Sequence, residues 1–196
     1  MSFVDLVLAV HRCLTEAGLE HSFGGALALM QHVAEPRTTW DIDINVSVEK
    51  SRAAEVIRAL SGIARADHAD VERLATDGQV RIFAGRYPID IFLAVHDFHQ
   101  DIRTAVTVRP FGSTELPYVS ATHLSVLKAL FDRSKDWVDI EAMMRHGSVD
   151  AQRAIGWLVT LLGPDDERPG RMRALSLLGP EPEPPDAVAM FGGRRP

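Results

Sequence analysis

The chain has 196 residues, enough for one sizeable core, and its 46% hydrophobic and 24% charged content is that of an ordinary globular protein. A net charge of −6 argues against a broad electrostatic grip on nucleic acid, and no apolar run approaches the ~18 residues of a bilayer span, so no membrane partner is expected. Met1-Ser2-Phe3-Val4-Asp5 lacks the basic start of a secretory signal and Cys13 is the single cysteine, so a reducing, cytoplasmic setting is expected.

In chain order, Phe3, Leu6, Val7, Val10, Leu14 and Ala17 recur at helical steps, and Gly18 marks a stop. His21–Phe23 reads as a short strand, and Gly24-Gly25 turns into a helix that ends before Pro36. From Trp40 to Val48 the residues alternate, with Trp40, Ile42, Ile44, Val46 and Val48 on a core face and Asp41, Asp43, Asn45 and Ser47 opposite. Residues 51–60 read as a helix, followed by a loop holding Asp67, His68 and Asp70. Strands over 79–84 and 89–95 form a hairpin across Gly85-Arg86-Tyr87-Pro88, and shorter strands are expected at 106–108 and 115–119. Helices over 121–132, 135–144 and 150–162 precede a Pro-rich run.

This order predicts an α+β fold: a mixed β-sheet flanked by helices (residues 1–119), a helical C-terminal subdomain (120–178) and a tail (179–196), with ligand bound between the first two. Eighteen of the 21 cations are arginine, and Arg168, Arg171, Arg173, Arg194 and Arg195 make the last thirty residues locally basic.

The chemistry concentrates in a few positions. Residues i and i+2 of a strand share a side, so Asp41 and Asp43 present paired carboxylates, and Asp90 repeats the frame as Ile89-Asp90-Ile91. Like charges at 4 Å repel by about 4 kcal/mol at an effective dielectric of 20, and a divalent cation removes that cost. Oxygen-only ligands suit Mg²⁺ or Mn²⁺. Gly24-Gly25 lets a backbone approach a phosphate, and neither a Walker nor a dinucleotide glycine pattern is present. The alternative for Asp41-Ile42-Asp43 is the solvated face of an edge strand.

Gly24-Gly25 followed by Arg37-Thr38-Thr39-Trp40-Asp41-Ile42-Asp43 resembles the signature of the DNA polymerase beta-type nucleotidyltransferase superfamily, with Asp90 in the place of its third Asp. Lys128 followed by Lys135-Asp136-Trp137-Val138-Asp139 is similar to the helical pair of the AbiEii/AbiGii-type toxins of type IV toxin–antitoxin systems. The resemblance implies a nucleotidyltransferase-like fold and transfer of a nucleotide from an NTP to RNA, above all the 3′ end of tRNA, with a cognate antitoxin as partner. It also implies that Asp41, Asp43 and Asp90 bind metal, that Gly24 and Gly25 hold triphosphate, that Lys128 contacts phosphates and that Asp136 completes the site.

Asp136 and Asp139 share a helical face, so Lys128, Lys135, Asp136 and Asp139 belong either to the nucleotide site or to surface ion pairs. Arg37 is a bidentate phosphate candidate. The same scaffold serves a small-molecule nucleotidylyltransferase of the antibiotic type or a quiet binding module. Thr39 is a candidate control point, since phosphorylation adds about −1.5 to −2 charges beside the carboxylates; a Thr39→Glu protein with undiminished NTP affinity refutes it. His21, His32, His96, His99 and His123 show no metal-ligand spacing.

Overall fold

A computed structural model of the protein describes residues 1–33 and 38–179. Arg37, an expected phosphate contact, and the Pro-rich run from residue 180 lie outside the described residues. Six strands form one sheet in the order β3-β4-β2-β1-β6-β5. They are β1 (His21–Phe23), β2 (Ile42–Val46), β3 (Gln79–Ala84), β4 (Tyr87–Leu93), β5 (Thr107–Phe111) and β6 (Thr114–Tyr118). β2 runs parallel to β4 and antiparallel to β1, and β1 runs parallel to β6, so the sheet is mixed. The α+β expectation matches this architecture.

The helices are α1 (Phe3–Glu16), α2 (Gly25–Leu29), α3 (Ala53–Leu60), α4 (His68–Asp77), α5 (Asp97–Thr104), α6 (Ala121–Phe131), α7 (Ser134–Arg145), α8 (Ala151–Leu162) and α9 (Glu167–Ser176). Among the described residues, no helix is long and apolar enough to cross a membrane. Strand alternation decides the two faces of the sheet. Ile42, Ile44 and Val46 of β2, Val80 and Ile82 of β3, and Ile89, Ile91 and Leu93 of β4 are buried in a core shared with Leu6, Val10 and Leu14 of α1 and Val56 and Leu60 of α3. The intervening residues face the other way, where the chemistry lies.

Three local expectations are corrected. The loop at residues 67–70 is the start of α4: Asp67 is its N-cap, and the Asp67 and Asp70 side chains each accept the other's backbone N–H, a reciprocal capping box. β2 begins at Ile42, and Trp40 is 60% exposed rather than core-facing; its ring stacks on Tyr87 with Arg86 nearby. The hairpin turn is only Gly85-Arg86, because Tyr87 already pairs with Ala84. Helices α5 and α9 are additional to those expected.

The helices after the sheet pack around Trp137, Ile140, Met143, Ile155, Leu158 and Met172. Asp132 caps α6 in the left-handed region at φ 54° and accepts a 2.6 Å bond from the Trp137 indole. That tight reversal folds α7 back along α6 and brings Asp136 and Asp139 to Lys128.

Candidate active site

The expected carboxylate strand is built by backbone pairing. Asp43 of β2 lies beside Asp90 of β4 in parallel register, and Asp90 lies opposite Arg81 of β3. The three side chains therefore form one row across the open face. They line a cavity of about 950 Å³ together with Asp41, Thr39, Gly25, Lys128, Arg133, Lys135 and Asp136.

Gly24 and Gly25 close one side of that row. The Gly24 N–H donates to the Asp43 carbonyl at 2.8 Å, locking the turn onto β2. Gly25 has φ +50°, and a Cβ there would stand 1.8 Å from Asp43 Oδ2. Only glycine lets this backbone rest against the carboxylate.

The electrostatics follow from the crowding. Burial, then the charges of Asp90 and Asp41, push the Asp43 carboxyl up to about 6, against the pull of Lys128 and Arg81. Asp41 goes the other way: the Thr39 hydroxyl donates to its Oδ1 at 2.5 Å and holds its pKa below the usual range. Thr39 precedes the strand, so it reaches Asp41 by this bond and not by alternation; a phosphoryl group there would replace it.

Asp90 differs from expectation. Arg81 Nε and Nη2 donate to its two oxygens at 2.7 and 2.6 Å, a bidentate pair that occupies the carboxylate. Among the described residues no group of three His, Cys, Asp or Glu side chains is assembled to hold a metal ion. The fit to a divalent cation rests on Asp41 and Asp43, oxygen donors in the cavity, the second of them lifted by burial and then by its like-charged neighbours. Mg²⁺ is commonly held by one or two carboxylates plus substrate phosphates, so this pair suits it and the third ligand is not required.

Lys128 is 5% exposed and its Nζ donates to Asp139 at 2.6 Å, with Asp136 at 3.7 Å. Asp136 is fully buried and also accepts from Arg133 Nε at 2.5 Å and Nη2 at 3.1 Å. The surface ion-pair alternative is thereby corrected for three of the four residues: this is a buried network beside the cavity. Asp139 sits behind Lys128 and is not among the lining residues, so its part is to anchor the lysine, whereas Lys135 is exposed at the rim.

Arg81 and Arg133 escaped the sequence reading. Counting back from a two-residue turn at Gly85-Arg86 places residue 81 opposite residue 90, which is the signal that identifies Arg81.

No family model matches this chain, and no curated protein matches it. Among solved structures it is similar to the antibiotic-resistance factor ANT(2'')-Ia at 13% identity, with 89% of each chain covered and a TM-score of 0.51. The same factor in complex with adenylyl-2''-tobramycin matches at 13% identity, covering 89% of this chain and 97% of that one, with a TM-score of 0.52. An antigenic nucleotidyltransferase-like protein from Paracoccidioides brasiliensis matches at 14% identity over 97% and 96% of the two chains, with a TM-score of 0.52. These likenesses establish a nucleotidyltransferase-like fold.

Proposed function

We propose that this protein is a metal-dependent nucleotidyltransferase that takes an NTP into the cavity and passes its nucleotidyl group to a hydroxyl acceptor. The observation that carries the reading is the Asp43 carboxylate, packed against Gly25 on the wall of a large cavity, its pKa raised by burial and then by its acidic neighbours. A cation held by Asp41 and Asp43 would supply charge neutralisation for the triphosphate and polarisation of the reacting oxygens. Lys128, fixed by Asp136 and Asp139, presents a positive point charge toward the same space. The acceptor oxygen bonds to the α-phosphorus, the bond to the bridging oxygen breaks, and pyrophosphate leaves. The hydroxyl proton passes to solvent at the open mouth of the cavity, because both oxygens of Asp90 are engaged by Arg81.

Two acceptor classes remain in play. The family resemblance supplies RNA, above all the 3′ end of tRNA, with a cognate antitoxin as neutralising partner. The net charge of −6 and the fold likeness to ANT(2'')-Ia favour a small cationic molecule. Labelled NTP incubated with Mg²⁺ and either total tRNA or tobramycin separates them. Label should appear on one acceptor and be lost with Asp43→Asn. Label on neither, with NTP still bound, favours the quiet binding module.

A further inference from the structure

Beyond the carboxylate row the open face of the sheet changes character. Two residues before Asp90 on β4 stands Pro88, and β3 sets Phe83 opposite it. Trp40 and Pro88 line the same cavity as Asp41 and Asp43, whereas Phe83 lies outside the lining. This end of the face carries apolar rings where the neighbouring row carries charge.

Trp40 is the unusual member. It is 60% exposed, although tryptophan is highly buried on average. The exposed ring is nonetheless held. It stacks on Tyr87 with 6.2 Å between ring centroids and 15° between their planes. Tyr87 belongs to the buried core and is met by the Phe3 ring at 5.6 Å. The Arg86 guanidinium lies 5.6 Å from the Trp40 ring and 5.0 Å from the Tyr87 ring, and it donates to the Tyr87 hydroxyl at 2.9 Å. The indole is thus positioned from β4 and its turn while most of its surface stays uncovered. A ligand that stacks on a ring already held in place loses little affinity to ordering it.

The place of the ring in the chain names its partner. Trp40 and Asp41 both precede β2, so strand alternation does not send their side chains apart, and both line the cavity. Their Cα atoms are only about 3.8 Å apart, as for any two adjacent residues. A cation on Asp41 and Asp43 would hold the triphosphate, and one sugar separates the α-phosphate from its base. We propose that Trp40 is the platform on which the nucleobase of the incoming NTP stacks, with Tyr87 and Arg86 as positioning residues. The inference rests on the nucleotidyl-transfer reading and adds the residue that receives the base. Every base has a π-face, so the ring contributes alike to each nucleotide and nothing to a bare polyphosphate. Phe131, another exposed ring on the cavity wall, is the poorer platform. It is braced by the Arg133 guanidinium at 4.9 Å and by no stacked ring among the described residues.

The test is calorimetric titration of the full chain, with Mn²⁺ present, using α,β-methylene ATP, α,β-methylene CTP and inorganic tripolyphosphate. Trp40→Ala should weaken both nucleotide analogues about tenfold and leave tripolyphosphate unchanged. Trp40→Phe should restore most of that loss. Phe83→Ala, which removes an exposed ring outside the lining, should bind all three ligands as the wild type does. The analogues should also quench tryptophan fluorescence in the wild type and not in Trp40→Ala, because Trp137 is buried and Trp157 lies outside the lining. The platform is overturned when Trp40→Ala binds the analogues as the wild type does, or when tripolyphosphate weakens as much as they do. It is equally overturned when Phe131→Ala brings the selective loss in place of Trp40→Ala. A wild type that binds none of the three ligands removes the nucleotidyl-transfer reading itself, so the two failures are distinguishable.

Discussion

Arg81 holds Asp90 by two parallel hydrogen bonds of 2.7 and 2.6 Å, so the third carboxylate of the row is neutralised by the protein's own guanidinium. Asp43, next in the row, has no such partner among the described residues, and burial with its acidic neighbours raises its pKa instead. Arg81→Gln should therefore return a negative charge to the cation site. Because Arg81 is half exposed, the loss of stability is small, about 1 kcal/mol or less. Mn²⁺ affinity should increase in the variant, measured by calorimetry on metal-stripped protein; an unchanged or weaker affinity contradicts the arrangement.

Gly25 is the second point of strain. Gly25→Ala adds a Cβ 1.8 Å from Asp43 Oδ2 at a backbone position of φ +50°. Two costs combine, left-handed strain and displacement of the carboxylate, for about 1–3 kcal/mol of lost stability. Thermal unfolding and Mn²⁺ binding should both suffer, whereas Gly85→Ala, where no atom lies within 4 Å of the added Cβ, should lose stability only.

Lys128 joins stability to function. Lys128→Met leaves two buried carboxylates without their shared cation, a loss of about 3–5 kcal/mol. Lys128→Met with Asp139→Leu should recover part of the stability in chemical denaturation without recovering NTP binding. Recovery of both would show that the lysine acts only as a structural partner.

The raised pKa of Asp43 carries a sign. Its ordinary value is 3.8 and the folded value is about 6, so between those pH values the folded state binds more protons than the unfolded state. Stability of the metal-free protein accordingly falls as pH rises from about 4 to 6, by at most about 3 kcal/mol for this group. Asp43→Asn should be more stable than the wild type at pH 7.5 in EDTA, with the advantage shrinking toward pH 4. An Asn variant that is less stable at pH 7.5 contradicts the crowding.

The sequence made the sheet and the paired carboxylates legible because both obey strand alternation, and Asp43 and Asp90 do sit side by side. Side-chain partnership was not legible. Whether Asp90 meets a cation or Arg81 depends on hairpin register, which a four-residue turn estimate shifted. Helix α5 buries only Phe98 and Ile102, too few apolar positions to show a stripe, and so it escapes the sequence pattern. The grouping of Lys128 with Asp136 and Asp139 follows from their shared helical face, but its burial does not, because the Asp132 reversal that folds α7 against α6 leaves no mark on helical periodicity.

The most direct measurement is anomalous diffraction from crystals grown with Mn²⁺ and a non-hydrolysable NTP. A metal peak within coordination distance of both Asp41 and Asp43, with the triphosphate lying along Gly24-Gly25, is the expected result. A nucleotide bound without metal at those two carboxylates, or a metal held elsewhere, would contradict the account.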